Sequence, residues 1–239
     1  MIIALGIASL IGASLLRAEK DKAGIGPDLI SFFAVQLQCP AAPQIGCGLV
    51  SKPILLELQR EPAIAEAWLN ETGTVVAVVW RNTADAEVRT SAAQRVLQKH
   101  GLTATELGTA ARAVELKSFV SGEAWYHGTD VDTLSKQEAR INAARLVRRV
   151  QRKVRLSDDK AKALEARFYD FMASPAMLAM SSPQTWIETA TSALLKVVRD
   201  EHLSQNEVGA VQEAIAKGLL PVAGDKEENK GGIPDCCSR

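Results

Sequence analysis

Strand-like and helix-like segments alternate over residues 31–107, and this order constrains the fold more than any other feature of the chain. Strands are expected where β-branched and aromatic residues lie between turn residues, and helices where a capping residue precedes an apolar stripe. The segments are a strand at 32–38, a helix from Ser51 to about Pro62, strands at 65–69 and 74–80, a helix at 90–100 and a strand at 102–107. Their order is β-α-β-β-α-β.

Glycine residues mark two boundaries in this region. Gly73 closes the turn between the two central strands, where the positive φ that glycine adopts easily is useful. Gly101 follows the second helix at the position where a glycine commonly ends a helix. Both glycines support the predicted boundaries.

Residues 108–221 read as a helical region with no strand-like run. The segments 135–138 and 204–207 are capping boxes, in which a serine and a glutamate three residues later satisfy the first amides of a helix. Ser157 and the Ser182-Pro183 pair are two further helix starts, and Gly218 ends the last helix. Together the two regions predict an α+β chain with a helical domain at 108–221.

The first 22 residues form an apolar N-terminal segment. Residues 2–16 carry no charge but are shorter than the ~20 residues of a spanning helix. Arg17, Lys20 and Lys22 follow the apolar run, which favours a membrane anchor with the remaining domains in the cytoplasm. There are two alternatives to a membrane anchor: a cleaved leader on an exported protein, or a buried helix of a cytoplasmic protein.

The chain has 28 basic and 28 acidic residues, so no overall field recruits nucleic acid, and we expect no nucleic-acid partner. Its four cysteines are too few for a disulfide scaffold, but they fall in two places. Cys39 and Cys47 bound a proline- and glycine-rich loop before the first helix. Cys236 and Cys237 lie near the end of residues 222–239, a polar segment that reads as a flexible tail.

The region 31–107 resembles the heavy-metal-associated domain, the small ferredoxin-like fold of soft-metal chaperones and mercury-binding proteins. The resemblance rests on a cysteine-bearing loop after the first strand and on the segments Glu61-Pro62-Ala63-Ile64, 69–75 and Lys99-His100-Gly101-Leu102. It implies a βαββαβ ferredoxin-like fold with a soft-metal site at Cys39 and Cys47. The family separates its two cysteines by two residues, whereas seven residues separate Cys39 from Cys47 here.

The Cys236-Cys237 pair resembles the C-terminus of mercuric reductases, where such a pair passes the metal inward. The large flavin domain of that family is absent, and the chain contains no G-x-G-x-x-G motif. The resemblance implies that the tail collects or delivers metal.

The sequence thus predicts the binding and transfer of a soft ion, Hg(II) or Cu(I), through Cys39, Cys47, Cys236 and Cys237. Soft ions prefer thiolates, and a helix N-terminus lowers the pKa of a cysteine placed like Cys47. A metal-donating or metal-accepting protein is the expected partner. No catalytic residue is assigned, and the cysteine pattern favours a binding protein over an enzyme.

Four other interpretations also remain open. Cys39 and Cys47 could cycle between dithiol and disulfide, or be two small buried residues in an enlarged loop. The ferredoxin-like fold could also be the scaffold of an interaction protein without catalytic activity. Met172, Met177 and Met180 could be thioether ligands, although core packing is their more common role.

Overall fold

The computed structural model describes residues 25–82, 85–122, 124–180, 183–197 and 203–225. The apolar segment 1–22 and the Cys236-Cys237 pair lie outside these residues. The strands are β1 (Ile30–Ala34), β2 (Gln38–Cys39), β3 (Ala42–Gly46), β4 (Ile64–Asn70), β5 (Val75–Trp80), β6 (Thr105–Glu106) and β7 (Trp125–His127). The α-helices are α1 (Gly48–Leu58), α2 (Ala86–Lys99), α3 (Thr109–Ser121), α4 (Asp132–Gln151), α5 (Asp158–Met172), α6 (Pro175–Leu178), α7 (Pro183–Val197) and α8 (Gln205–Ala216).

Five strands form one sheet in the order β6-β1-β5-β4-β7, with antiparallel neighbours throughout. The run of valines in β5 explains its central position, because a strand buried on both faces is apolar at every residue. β2 and β3 form a separate two-stranded hairpin. The prediction of a chain that combines helices with a sheet is confirmed.

The two faces of the sheet pack against different helices. Val76, Val78 and Trp80 of β5 belong to one cluster with buried residues of α1 and α2, such as Ile54 and Leu97. The intervening residues of β5 lie in a second cluster on the opposite face, as expected from the two-residue period of a strand. There the Phe119 ring of α3 packs edge-to-face on Phe32, Trp68 and Trp125.

The structure places β7 inside the region that the sequence predicts to be helical, so that prediction is wrong at residues 125–127. β7 pairs with the outer edge of β4. Three residues are too few to display a strand period, and what fixes this strand is the burial of Trp125 against Phe119.

Three predicted helix starts are also wrong. α1 begins at Gly48, with Cys47 as its N-cap residue, and Ser51 is buried inside the helix. α4 begins at Asp132 rather than at Ser135, because the amides of Asp130 and Val131 already bond the His127 carbonyl and start the turn. In α1 and α4 the backbone begins to turn before the serine that the sequence marks as a cap. α2 begins at Ala86 rather than at residue 90, because the Asp85 side chain caps it.

Other boundary predictions are confirmed. Gly73, Gly101 and Gly218 have φ values of 73°, 74° and 72°. The Ser157 side chain caps α5, and Ser204 and Glu207 form the expected capping box of α8. Helix ends that depend on local hydrogen bonds are therefore readable from the sequence.

Helices α4 to α8 share a second core, and α4 joins it to the sheet. Val131 and Leu134 at the start of α4 pack with α1, whereas Leu146 and Val150 near its end pack among α5, α7 and α8. Within the described residues, every helix falls short of the length and apolarity that crossing a membrane would require.

Candidate metal centre

The β2–β3 hairpin closes the seven-residue gap between the two cysteines. Cys39 ends β2, and Cys47 follows β3 as the N-cap residue of α1. The Cys47 amide donates to the Leu37 carbonyl at 2.7 Å, which returns the chain to the strand end from which it left. The inserted residues therefore form a hairpin that brings the two cysteines together.

Close backbone approach holds this hairpin on the sheet. The Gly46 amide donates to the Glu71 carbonyl at 2.7 Å, in the turn between β4 and β5. A Cβ atom on Gly73 would lie 2.6 Å from the Gly46 Cα atom, so both positions need glycine. Gly73, which the sequence identifies as a turn glycine, therefore also positions the hairpin that carries the two thiols.

Three potential ligand atoms meet beside the hairpin. The sulfur atoms of Cys39 and Cys47 and a carboxylate oxygen of Glu138 all lie within 4.8 Å of one another. Both cysteines are buried, and Glu138 reaches them from α4. Sulfur atoms this close can share one ion, because Zn–S-type bonds near 2.3 Å allow a separation of up to roughly 5 Å.

Sequence reasoning interprets Glu138 only as the last residue of a capping box and does not identify it as part of a site. A signal was present, since Glu138, Asn142 and Arg145 follow the i, i+4, i+7 spacing of one helix face. Asn142 and Arg145 are both buried. Polar side chains on the buried face of a helix need hydrogen-bond partners, and here those partners lie at the two cysteines and around them.

The side chains of Cys39 and Cys47 are hydrogen-bonded to each other. This bond is the main reason that the pKa of Cys39 is raised, and burial raises it further. The same bond is the main cause of the lowered pKa of Cys47, and the amides of Leu49 and Val50 at the start of α1 lower that pKa as well. Cys47 is therefore the more acidic thiol of the pair, and Cys39 holds its proton.

The carboxyl of Glu138 is also shifted from its ordinary acidity. Burial raises the pKa of Glu138, while hydrogen bonds with Cys39 and Asn142 and the positive charge of Arg145 act in the opposite direction. The site thus combines an acidic thiol, a protonated thiol and a buried carboxyl in direct contact. Such a group can release protons when a cation binds.

A cavity of about 240 Å³ opens beside these three groups. Its walls include Met172 and Met177, two of the three methionines considered as thioether ligands, whereas Met180 packs against the helical core. The remaining lining residues come from the hairpin, from α1, α4 and α6, and from the segment after α8: Cys39, Pro40, Ala41, Cys47, Leu49, Ser135, Glu138, Leu178, Lys217, Gly218, Leu219 and Leu220.

The buried Arg145 joins the two sides of this cavity. Its guanidinium donates to the Ala41 carbonyl in the hairpin, to the Leu219 carbonyl after α8 and to Asn142 Oδ1, each at 2.7 Å. Hydrogen bonds from a charged donor are among the stronger ones in proteins. Arg145 therefore fixes the hairpin and the segment after α8 at one distance from each other.

Arg149, one turn further along α4, holds the same segment after α8. It donates to the carbonyls of Gly218 and Leu220 and pairs with Asp225 at 2.6 Å. Burial alone would raise the pKa of Asp225, but hydrogen bonds from Arg149 and the Val222 amide, with the charge of Arg149, lower it overall. The pair is a buried ion pair that ties residues 218–225 to α4.

The structure thus brings together Cys39 and Cys47, adds Glu138, and leaves Cys236 and Cys237 outside the described residues. No protein-family model, curated protein or solved structure matches this chain. The resemblances of residues 31–107 and of the tail therefore stay at the level of the quoted motifs, and function is inferred from the geometry of the thiol site.

Proposed function

We propose that this chain binds a soft metal ion, Hg(II) or Cu(I), between Cys39 and Cys47, with Glu138 as a third donor. The observation that carries the proposal is the meeting of the three donor atoms within 4.8 Å of one another. Two sulfur ligands select soft ions, because thiolates bind them more strongly than they bind hard cations. Two thiolates suffice for a linear site, and the carboxylate can complete a three-coordinate one.

The acidity of the two thiols suits stepwise binding. Metal ligation requires thiolates and releases protons. Cys47, whose pKa is lowered by the hydrogen bond from Cys39, can bind first. Cys39 then loses its proton as its sulfur exchanges the hydrogen bond for a metal bond.

The strand order supports the resemblance to the heavy-metal-associated family. In our interpretation β1, β4, β5 and β6 are the four strands of a ferredoxin-like fold, in the spatial order β6-β1-β5-β4. Helices α1 and α2 follow β1 and β5 in the chain. The β2–β3 hairpin and β7 are then additions to that fold, and the first of them carries the thiols.

The transfer role extends the proposal to the ends of the chain. Cys236 and Cys237 collect the ion from a donor protein or deliver it to an acceptor, and the N-terminal segment 1–22 associates with a membrane. Exchange of one equivalent of metal between the tail and the Cys39/Cys47 site, followed with variants of either pair, tests this role.

Anaerobic titration of the reduced full-length chain with Hg(II) and Cu(I), in competition with a dithiol of known affinity, tests the metal site. In the Cys236→Ser/Cys237→Ser chain, which lacks the tail thiols, we expect one tightly bound equivalent. The further replacements Cys39→Ser and Cys47→Ser should remove that equivalent. Binding no stronger than that of free cysteine, or binding unchanged by Cys47→Ser, contradicts the proposal.

A dithiol–disulfide cycle is the second candidate, favoured by the direct hydrogen bond between the two cysteines. An acidic thiol beside a protonated one is the arrangement from which a disulfide forms by thiol exchange. Equilibration with glutathione buffers tests it. A potential in the range of cellular oxidoreductases, about −120 to −270 mV, supports this function, and failure to form the disulfide excludes it.

A further inference from the structure

The cavity beside the thiols is larger than a bound metal ion needs. Its volume is about 240 Å³, and an engineered apolar cavity of about 150 Å³ is enough to bind benzene. An ion shared by Cys39 and Cys47 lies close to the sulfur atoms and leaves most of this space unfilled. The size of the cavity therefore points to a ligand with an organic part.

The chemistry of the lining defines that organic part as apolar. Met172, Met177 and Leu219 are almost fully buried and line the space opposite the hairpin. The Lys217 ammonium, also at the lining, pairs with the Glu213 carboxylate at 3.4 Å. Among the polar groups at the lining, Glu138 is engaged with Cys39 and Asn142. A small hydrocarbon group fits such a wall better than a charged or hydrogen-bonding group does.

We propose that the thiol site takes organomercury cations, with mercury on the Cys47 sulfur and the organic group in the cavity lined by Met172 and Met177. This inference rests on the proposed soft-metal function and names its substrate class. An organomercury cation keeps one bond to carbon and accepts one thiolate in a linear arrangement. Its carbon therefore fills the coordination position that Cys39 fills for a bare ion, so Cys39 is not a ligand here and the mercury lies on the cavity side of the Cys47 sulfur.

Binding is a ligand exchange without a redox step. The cation arrives bound to a small thiol, the Cys47 sulfur forms the new mercury–sulfur bond, and the bond to the small thiol breaks. The proton that Cys47 gives up ends on the departing thiol, and the carbon–mercury bond stays intact. Cys39 and Glu138 are not consumed in this step.

The test compares methylmercury with phenylmercury on the full-length Cys236→Ser/Cys237→Ser chain. Each affinity is measured by competition with glutathione, so that the intrinsic mercury–sulfur bond cancels, and Hg(II) is titrated in parallel. Each buried CH₂-sized group strengthens binding roughly fourfold, so phenylmercury should gain at least about tenfold over methylmercury.

Variants at the cavity mouth test where the organic group lies. Leu220 lines the cavity and is half exposed, so Leu220→Trp adds bulk there without burying a new group. Val222→Trp is the matched control, because Val222 is similarly exposed and lies in the same segment outside the lining. We expect Leu220→Trp to abolish the phenyl preference and Val222→Trp to keep it, and Val222→Trp should also leave the Hg(II) affinity unchanged.

A variant that enlarges the cavity should favour larger organic groups, which is the opposite of the effect of Leu220→Trp. Met177→Ala should improve the relative binding of naphthylmercury over phenylmercury, and circular dichroism verifies its fold. Two outcomes in a chain that binds Hg(II) tightly overturn this inference alone. One is equal affinity for phenylmercury and methylmercury, and the other is an affinity ratio that Leu220→Trp leaves unchanged. A chain that binds neither Hg(II) nor the organomercury cations better than glutathione does overturns the proposed function, and the inference falls with it.

Discussion

The thiol site has two walls that are built in different ways. The hairpin wall, residues 39–47, is local in sequence and is positioned by backbone hydrogen bonds to Leu37 and Glu71. The helical wall, which comprises Glu138, Met172, Met177 and Leu219, is assembled from three helices and a C-terminal segment. The comparison separates the two tasks of the site, since the hairpin wall supplies the sulfur atoms and the helical wall supplies the carboxyl and the apolar space.

Removing the Asp225 carboxylate should have the largest effect on the helical wall. Arg149 and Asp225 have side chains that are only 2% and 1% exposed, so Asp225→Ala leaves a buried charge without its partner. We expect a loss of about 3–5 kcal/mol in the free energy of unfolding at pH 7, measured with urea. Asp170→Ala, at an exposed position of α5, is the control and should change little.

The same variant has a defined pH dependence. The folded-state pKa of Asp225 is lowered, so its contribution is present above the ordinary carboxyl pKa of about 4 and is lost as the pH falls through the folded value. The stability gap between the natural chain and Asp225→Ala should therefore narrow from pH 7 to pH 3. A gap that stays constant over this range contradicts the role assigned to the ion pair.

Glu138→Gln tests whether the helical wall supplies a metal ligand or only covers the thiols. Glutamine keeps the size of the side chain but removes the anionic oxygen, so Hg(II) or Cu(I) affinity should fall roughly 10- to 100-fold. Competition titration measures the change, and Glu115→Gln, a half-buried carboxyl on α3, is the matched control. Unchanged affinity in Glu138→Gln means that the helical wall only covers the thiols.

Gly48→Ala tests the seam between the two walls. A Cβ atom at Gly48 would lie 2.6 Å from the Val131 carbonyl and would also meet the Ser135 side chain, which forces α1 and α4 apart. The expected cost is about 1–3 kcal/mol of stability, together with weaker metal binding. Gly209→Ala in α8 is the control and should raise the free energy of unfolding, because a Cβ atom there meets nothing within 4 Å and alanine favours a helix.

The smallest expected effect concerns the hairpin wall alone. In the chain without tail cysteines, the rate of Cys47 alkylation by iodoacetamide should rise with a midpoint below about pH 8.5, the pKa of an ordinary cysteine. Cys39→Ala removes the main cause of the lowered pKa, so the midpoint should move upward. A midpoint that Cys39→Ala leaves in place would contradict the hydrogen bond between the thiols.

The two walls also differ in how far the sequence reveals them. Local patterns identify Cys39 and Cys47, Gly73 and the capping serines at 157 and 204, because each depends on neighbours within a few residues. They misplace the start of α1, because Ser51 and Pro53 carry a strong local signal that packing overrides. The helix begins at Gly48, whose backbone lies close against Val131 and Ser135, and no local pattern displays this contact.

Local patterns miss Glu138 for the same physical reason. Its thiol partner Cys39 lies about one hundred residues away in the chain, and a glutamate in a capping box already has a sufficient local explanation. The hairpin was missed because β2 is only two residues long and β3 begins with Ala-Pro, and neither shows the alternation of a strand. A repeating residue pattern does not reveal elements this short, because tertiary contacts hold them in place.

The Arg145 guanidinium, which joins the Ala41 and Leu219 carbonyls, also sets an order of events during synthesis. A ribosome adds roughly 5–20 residues per second, so Leu219 follows Cys47 after on the order of ten to thirty seconds. During that interval the emerging chain carries both thiols without the complete helical wall that will enclose them. The nascent chain therefore meets the ions and oxidants of its compartment with this cysteine pair still partly uncovered until Leu219 has been added.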